Sequence, residues 1–311
     1  MTIEAAGLPG ACSIWADPLY EGPVPAGLTD AELIDARTRY LAGEEPVDPV
    51  NDLHRWRAVI DAHETYDELV LWYEHDLFCQ LNLVQVLGHV RASVPRTKPV
   101  SLICIGEFPG RPSFKGLGEL TAGELAPLLE TRTPVDERQY AVGAAAWAAF
   151  RSPSPVAIED LLETDTSAMP FLARALARLL EEYPWATDGL SRSERRLLQL
   201  AADGPMPFRR LFPRMHDGED AYYITDLSLD GLVTTLSTLS PPLLSRDGVG
   251  GSATQDRPDT IAITQAGRDV LGGRRDRALS GIDRWIGGVH LQSGSPMWRW
   301  DPQTQRMVAQ G

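Results

Sequence analysis

Apolar positions in the first part of the chain fall into short continuous runs and into helical stripes. The runs at residues 69–73 and 100–105 are continuous, which is typical of strands buried on both faces of a parallel sheet. Residues 77–94 between them predict a crossover helix. A shorter run at residues 11–14, closed by Asp17 and Pro18, predicts another buried strand. This alternation predicts an α/β fold with a Rossmann-like parallel sheet.

Two further helices are predicted before the first long apolar run. Thr29, with Glu32 three positions later, has the pattern of a capping box, and Gly43 provides a stop signal. A second helix is predicted over residues 48–63. Its apolar stripe consists of Leu53, Trp56, Val59 and Ile60.

The rest of the chain predicts a change of architecture. Residues 1–120 form the predicted α/β domain, and the alanine-rich residues 121–187 form a helical extension that ends in a linker. Residues 188–311 follow the order helix, helix, helix and two short strands around a Gly-rich loop, with a Trp-rich tail. That order predicts a C-terminal winged-helix domain.

Charge is distributed unevenly between these segments. Residues 1–185 carry 14 Lys and Arg against 28 Asp and Glu, whereas residues 186–311 carry 15 of each. Phosphate backbones require cations, so nucleic-acid binding by the first segment is disfavoured. The predicted recognition helix at 225–239 has no Lys or Arg and carries Asp226 and Asp230, which favours a structural or protein-contacting role over DNA binding.

The three cysteines and the absence of long apolar runs predict the cellular compartment of the protein. Cys12, Cys79 and Cys104 are too few and too scattered for a disulfide framework, which predicts a reducing cytoplasm. No run approaches the roughly 18 apolar residues that span a bilayer, and the N-terminus lacks the pattern of a signal peptide. We therefore expect neither secretion nor a membrane partner.

Several long strings of residues resemble a bacterial family. WADPLYEGPVPAGL, VLWYEHDLFCQLNL, LICIGEFPG and GLSRSERRLL are similar to proteins that carry the domain of unknown function 1835. The resemblance covers most of the chain. Members of that family usually begin with a further strand and a Gly-Asp-Ser turn, which this sequence lacks. The family is functionally uncharacterised, so the resemblance implies no activity.

Acidic residues follow each of the three predicted strands. The candidate catalytic residues are Asp17, Glu74, His75, Asp76 and Glu107. Ligands of open parallel sheets bind beyond the carboxyl ends of the strands, where these side chains are expected. Asp17, Asp76 and Glu107 are the candidate ligands of Mg²⁺ or Mn²⁺, and His75 is the candidate general base. The alternative is that these acids cap helices, above all Asp76, which directly precedes a predicted helix.

Neighbouring residues predict a ligand site at the same edge. The candidate ligand-binding residues are Tyr20, Glu21, Gln80 and Asn82. The alternative for Tyr20 and Glu21 is a stiff turn, and for Gln80 and Asn82 a helix that serves mainly the core. Cys79 and Cys104 lie in apolar surroundings, which is more typical of inert buried thiols than of nucleophiles.

Two classes of function remain open. The motifs of elbow-type serine hydrolases, P-loop NTPases, zincins and dinucleotide binders are missing. One hypothesis is a metal-assisted hydrolase or phosphotransfer enzyme that uses the acidic strand ends. The other is a non-catalytic regulator that binds a small molecule or a protein and relays this through the winged helix, which would contact protein or, as the less favoured alternative, DNA.

Overall fold

The computed structural model describes residues 5–42, 49–248 and 259–310, which group into two compact units. The first unit comprises Met1–Ala177 and Trp285–His290, and the second comprises Arg178–Arg284 and Leu291–Gly311. The predicted domain limits at residues 120 and 187 stay predictions. Within the described residues, no helix has the length and apolar character needed to cross a bilayer.

The first unit is built around a small sheet with helices. Its elements are helix α1 (Asp30–Leu41), helix α2 (Pro49–Asp61), strand β1 (Leu69–Glu74), helix α3 (Leu77–Ser93), strand β2 (Val100–Ile105), helix α4 (Ala122–Leu125), strand β3 (Thr133–Pro134), helix α5 (Glu137–Phe150) and helix α6 (Val156–Leu162). Helix α7 (Leu172–Leu180) follows and contains the division after Ala177.

Strands β1 and β2 form the parallel pair that the apolar runs predict. Their register runs from Leu69 opposite Val100 to Glu74 opposite Ile105, and α3 connects them. Strand β3 joins β2 in the antiparallel direction, which gives a mixed sheet in the order β1, β2, β3. A mixed α/β fold with parallel pairing is therefore confirmed.

Two details of the predicted N-terminal segment are wrong. Residues 11–14 form no strand, and Ile14 is 52% exposed. A strand requires a neighbour for its backbone N–H and C=O groups, and no described strand pairs with this segment. In α2, Leu53, Trp56 and Ile60 are buried as expected, but Val59 is 37% exposed because it lies off the buried face.

The capping box that begins α1 is confirmed. The Thr29 hydroxyl accepts a hydrogen bond from the Glu32 N–H, while the Glu32 carboxylate accepts one from the Thr29 N–H at 2.8 Å. The predicted ends at Gly43 and Asp48 lie outside the described residues. Local spacing therefore determines where α1 begins.

Small residues allow α5 to pack closely on α3. Ala146 and Ala149 are buried, and a Cβ on Gly143 would lie 3.2 Å from Leu87 Cδ1. The alanine-rich composition of this segment thus reflects a close helix contact within the first unit, because small side chains let two helix backbones approach.

The second unit combines helices with antiparallel strands. Its elements are helix α8 (Arg192–Ala202), strand β4 (Met206–Pro207), helix α9 (Phe208–Met215), helix α10 (Asp226–Thr238), strand β5 (Leu244–Asp247), strand β6 (Thr260–Ile263), helix α11 (Gln265–Leu271), strand β7 (Asp283–Ile286), strand β8 (Val289–Gln292), strand β9 (Met297–Asp301) and strand β10 (Arg306–Gln310). The divisions after Arg284 and His290 fall within β7 and β8.

Strands β4, β6 and β5 form one antiparallel sheet in that spatial order. Leu197 of α8, Leu229 of α10 and Ile261 of β6 are fully buried in this unit. Ser191, Thr225 and Thr264 accept N-terminal hydrogen bonds of α8, α10 and α11 with their side chains. The predicted Gly-rich loop lies largely outside the described residues.

Residues 186–189, predicted as linker, form a packed turn of the second unit. Asp188 is buried and its carboxylate pairs with Arg195. The Ala186 N–H donates to the Trp300 carbonyl at 2.8 Å. The polar sequence of this turn reflects hydrogen bonding and ion pairing rather than a free connection.

Candidate functional site

The candidate site lies where β1 passes into α3. Strand β1 ends at Glu74 and α3 begins at Leu77, with Asp76 as its N-cap. The Asp76 Oδ1 accepts a hydrogen bond from the Cys79 N–H at 2.9 Å. This satisfies one of the exposed amides of the first helical turn and holds the carboxylate at the helix N-terminus.

Glu74, Asp76 and Cys79 converge at this point. One carboxylate oxygen of each acid and the Cys79 Sγ lie within 4.8 Å of one another, and they are the only such group of three potential metal ligands among the described residues. The Cys79 thiol donates to Glu74 Oε2 at 3.4 Å, and the Leu117 N–H donates to Glu74 Oε1 at 2.5 Å. We call these three residues the strand-end group.

Burial dominates the electrostatics of the strand-end group. It raises the pKa of Glu74, with a further contribution from the nearby Asp76. It also raises the pKa of Asp76, against the effect of the Cys79 N–H. The pKa of the Cys79 thiol lies well above its ordinary value, because burial and both carboxylates disfavour the thiolate. The protonated forms of all three side chains are therefore favoured relative to the same groups in water.

His75 lies between the two acids in sequence and is buried. Its ring lies 6.1 Å from that of Phe171 and 6.5 Å from that of Phe114, measured between centroids. Burial is the main cause that lowers the pKa of His75. The neutral imidazole is therefore favoured near neutral pH, as a general base requires.

Gly106 allows β2 to end close to His75. A Cβ at this position would lie 2.6 Å from Phe171 Cε1 and 3.1 Å from the His75 Cβ. A glycine is thus required by packing at the end of β2, and it lets two strand-end loops approach each other.

Gln80 and Asn82 use their side-chain amides within the fold. Gln80 Nε2 donates to the Glu74 carbonyl at 2.7 Å. Asn82 Nδ2 donates to the carbonyls of Asp17 and Phe78 at 3.0 and 2.8 Å. These bonds fasten α3 to β1 and to the N-terminal segment, so both residues position the site, while their predicted ligand contacts stay predictions.

Asp17 lies apart from the strand-end group. Its buried carboxylate pairs with the guanidinium of Arg37, which also donates to the carbonyls of Glu21 and Pro18. The Tyr20 side chain is buried, with its ring 6.3 Å from that of Phe78. The structure gives these residues a role in holding the turn after residue 16, where no strand ends.

Glu107 also lies outside the strand-end group. It follows β2 in an exposed turn. The structure thus places only one of the three predicted metal ligands, Asp76, in the strand-end group. Asp17 is paired with Arg37 instead, and Glu107 faces solvent.

Cys79 and Arg37 are the residues that sequence reasoning missed. Cys79 occupies the third position of α3, where an N-cap side chain reaches the backbone, and the spacing 74, 76, 79 contained that signal. Arg37 had no comparable signal, because it meets Asp17 only through the tertiary fold.

Each unit also contains an open cleft of about 360 Å³. The cleft of the first unit is lined by β2, by Gln80 and by residues 168–170. The cleft of the second unit is lined by arginines that are engaged in ion pairs, among them Arg178 with Glu182 and Arg195 with Asp188. Neither cleft is lined by a member of the strand-end group.

No protein-family model, no curated protein and no solved structure matches the chain. The resemblance to proteins with the domain of unknown function 1835 therefore stays a prediction from the sequence strings.

Proposed function

We propose that the first unit is a metal-assisted hydrolase or phosphotransfer enzyme whose divalent ion is held by Glu74, Asp76 and Cys79. The observation that carries the proposal is the convergence of their ligand atoms within 4.8 Å at the carboxyl end of β1. This is the edge of a parallel sheet where ligands bind in open α/β folds. Asp17 and Glu107 have no part in this ligand set.

The donor set fits a divalent transition metal better than Mg²⁺ alone. Two carboxylates suit Mg²⁺ and Mn²⁺, whereas a thiolate favours softer ions such as Zn²⁺. A cation here would offset the burial and mutual repulsion that raise the carboxyl pKa values of Glu74 and Asp76. When bound, such an ion supplies Lewis-acid chemistry for phosphoester cleavage.

His75 is the proposed proton acceptor for this reaction. Burial lowers its pKa, so the imidazole is neutral near pH 7 and accepts a proton. Phe114 and Phe171 flank the ring and restrict its movement. Asp76, adjacent in the chain, favours the imidazolium formed when the proton arrives.

The hydrogen bond between Asp76 and the Cys79 N–H also has a purely structural explanation, because it caps α3. A variant that keeps the cap and removes the charge distinguishes this role from metal binding. Asp76→Asn keeps an oxygen that caps Cys79 but removes the charge, since Asn and Asp cap helices about equally well. Isothermal titration with MnCl₂ and with ZnCl₂ should show binding to the wild-type chain. Asp76→Asn and Glu74→Gln should weaken it roughly tenfold or more.

Glu107→Gln is the matched control, because Glu107 is a strand-end acid outside the group. It should leave metal affinity unchanged. Bis(p-nitrophenyl) phosphate is the probe for activity, and its metal-dependent hydrolysis should disappear in Asp76→Asn and in His75→Gln. Absence of metal binding, or equal weakening in Glu107→Gln, would refute the metal centre.

We also propose a more specific fold for each of the two units. The parallel pair β1 and β2 joined by α3 supports a Rossmann-like first unit. The order α8, β4, α9, α10, β5, β6 supports a winged-helix assignment for the second. Membership of the domain of unknown function 1835 family fits both but names no reaction.

A non-catalytic regulator is the second candidate function. It is favoured because Glu74, Asp76 and Cys79 form hydrogen bonds with one another and with the Leu117 N–H without any ligand.

The winged helix of such a regulator would contact protein rather than DNA. Arg246, beside the proposed wing, is paired with Asp230 and Asp259 at 2.6 Å each. Polarisation of a labelled duplex at low salt should show no binding, and a salt-sensitive rise would favour a DNA-binding regulator.

A further inference from the structure

The outer edge of β2 is only partly covered. The Val135 N–H donates to the Val100 carbonyl, so Val100 presents its backbone to the β3 side. Alternate residues of a strand face the same edge, which places the backbone groups of Leu102 and Cys104 on that side too. Strand β3 pairs with β2 only at Ser101 and Leu102. No described strand continues along Cys104.

The open edge borders the cleft of the first unit. Its volume is about 360 Å³, and Leu102–Ile105 line one wall. The other walls combine apolar side chains, such as Met169 and Pro170, with the neutral polar side chains of Gln80, Gln139 and Thr131. Ligand sites of small molecules have this composition of apolar walls with a few fixed polar groups, backbone groups included.

The cleft is electrically neutral in a strongly acidic protein. The chain carries a net charge of −14, and residues with formal charge are frequent in this unit, yet none of the described residues that line the cleft is charged. Burying an ion beside a neutral wall is unfavourable because no opposite charge compensates for its lost hydration. The complementary ligand is therefore uncharged at the part that enters the cleft.

We propose that the cleft binds an uncharged planar heterocycle with adjacent hydrogen-bond donor and acceptor atoms, which is the chemistry of a nucleobase. The N–H and C=O of Cys104 lie nearly in one plane along the strand edge and pair with these atoms in place of a further strand. Gln80 stiffens the inner wall, since its Nε2 is held by the Glu74 carbonyl at 2.7 Å and the residue is fully buried. This site does not rest on the metal proposal, because no ligand atom of the strand-end group lines the cleft.

Adenosine, guanosine, cytidine and uridine are the probes, tested by titration calorimetry and by ¹⁵N-edited NMR of the wild-type chain. We expect at least one nucleoside to bind and to shift the backbone amide signal of Cys104 to lower field, as a new hydrogen bond at that N–H requires. If no nucleoside binds at millimolar concentration, or if a bound nucleoside leaves the Cys104 amide unchanged, the proposal is overturned.

Thr131→Trp tests the location, because its bulky ring would occupy the cleft from an exposed position. It should weaken nucleoside binding at least tenfold. Glu130→Trp, a neighbouring exposed position outside the lining, is the matched control and should have no effect. Thr131→Val is a second control, because it removes the hydrogen bond from the Thr131 hydroxyl to the Leu128 carbonyl without adding a bulky ring. Thermal melts establish that each variant is folded. Equal weakening in both Trp variants would overturn the proposed location.

Glu74→Gln separates this site from the metal centre. It should weaken metal binding roughly tenfold or more while leaving nucleoside affinity unchanged, so failure of either proposal is visible without the other. Loss of nucleoside binding in Glu74→Gln would overturn the independence of the two sites.

Discussion

The guanidinium of Arg37 forms an ion pair with the carboxylate of Asp17, and its Nε lies 3.1 Å from both carboxylate oxygens. Neither side chain is more than 1% exposed. Arg37 also binds two carbonyls of the turn that follows Asp17. The pair thus connects α1 to the N-terminal segment. It explains why Asp17, a candidate metal ligand by sequence, is committed to a structural contact.

Asp17→Asn should destabilise the protein strongly. It leaves the Arg37 charge buried without its counter-charge, and loss of one partner of a buried pair costs about 3 to 5 kcal/mol. Chemical denaturation measures the free energy of unfolding. Asp52→Asn is the control, because it breaks the exposed pair with Arg55 and should cost less than about 1 kcal/mol. Similar losses in both variants would contradict the role assigned to Asp17.

Asp76→Ala should lower the free energy of unfolding by about 1 kcal/mol, because α3 loses its N-cap acceptor. Asp76→Asn retains that acceptor and should cost much less. Urea midpoints of the two variants provide the comparison. An Asn variant as unstable as the Ala variant would mean that the charge, rather than the cap, stabilises the folded apo-protein.

The contribution of Glu74 to the stability of the metal-free protein should decrease as the pH rises past 4.5, the ordinary pKa of this side chain. Burial, followed by Asp76, raises the pKa of Glu74 in the folded state. Between the unfolded and folded pKa values the folded state binds more protons, so its advantage is lost as the pH rises through the raised value. Asp76, whose pKa is also raised, contributes in the same direction.

Glu74→Gln should therefore remove this contribution, since the neutral amide does not titrate, and the stability of the variant relative to the wild type should increase with pH. Unfolding free energies from about pH 4 to about pH 8, with a chelator present, measure the slope. Glu107→Gln, at an exposed position, should retain the wild-type slope. A Glu74→Gln profile that follows the wild type would show that Glu74 does not carry the effect.

Gly106→Ala should destabilise the first unit by about 1 to 3 kcal/mol, because the new Cβ would overlap Phe171 and crowd His75. Gly118→Ala is the matched control, since a Cβ there meets no heavy atom within 4 Å. Thermal unfolding of the two variants tests this. A neutral Gly106→Ala would contradict the close packing of the β2 end against His75.

Local patterns were sufficient for most of the elements and for part of the candidate site. The continuous apolar runs predicted β1 and β2, and the capping pattern at Thr29 predicted where α1 begins, as the alternative interpretation of Asp76 did for α3. These features depend on residues within about four positions of one another, where backbone geometry alone determines which groups meet.

The strand predicted from the apolar run at residues 11–14 was wrong, because this segment has no strand to pair with among the described residues. Residues 11–14 have a composition suited to a strand, yet they remain irregular because no described strand pairs with them. A strand's stability comes from its neighbours, so a short apolar run does not identify a strand by itself.

Sequence patterns thus account for the strand ends and helix starts that bring Glu74, Asp76 and Cys79 together, because all three lie within one strand–helix junction. The fold alone assigned Asp17 to Arg37, at 20 positions' separation, and the Leu117 N–H to Glu74, at 43. Such contacts depend on how separate elements pack in three dimensions. Burial then decides which charges must be paired, because an unpaired buried charge is too costly to keep.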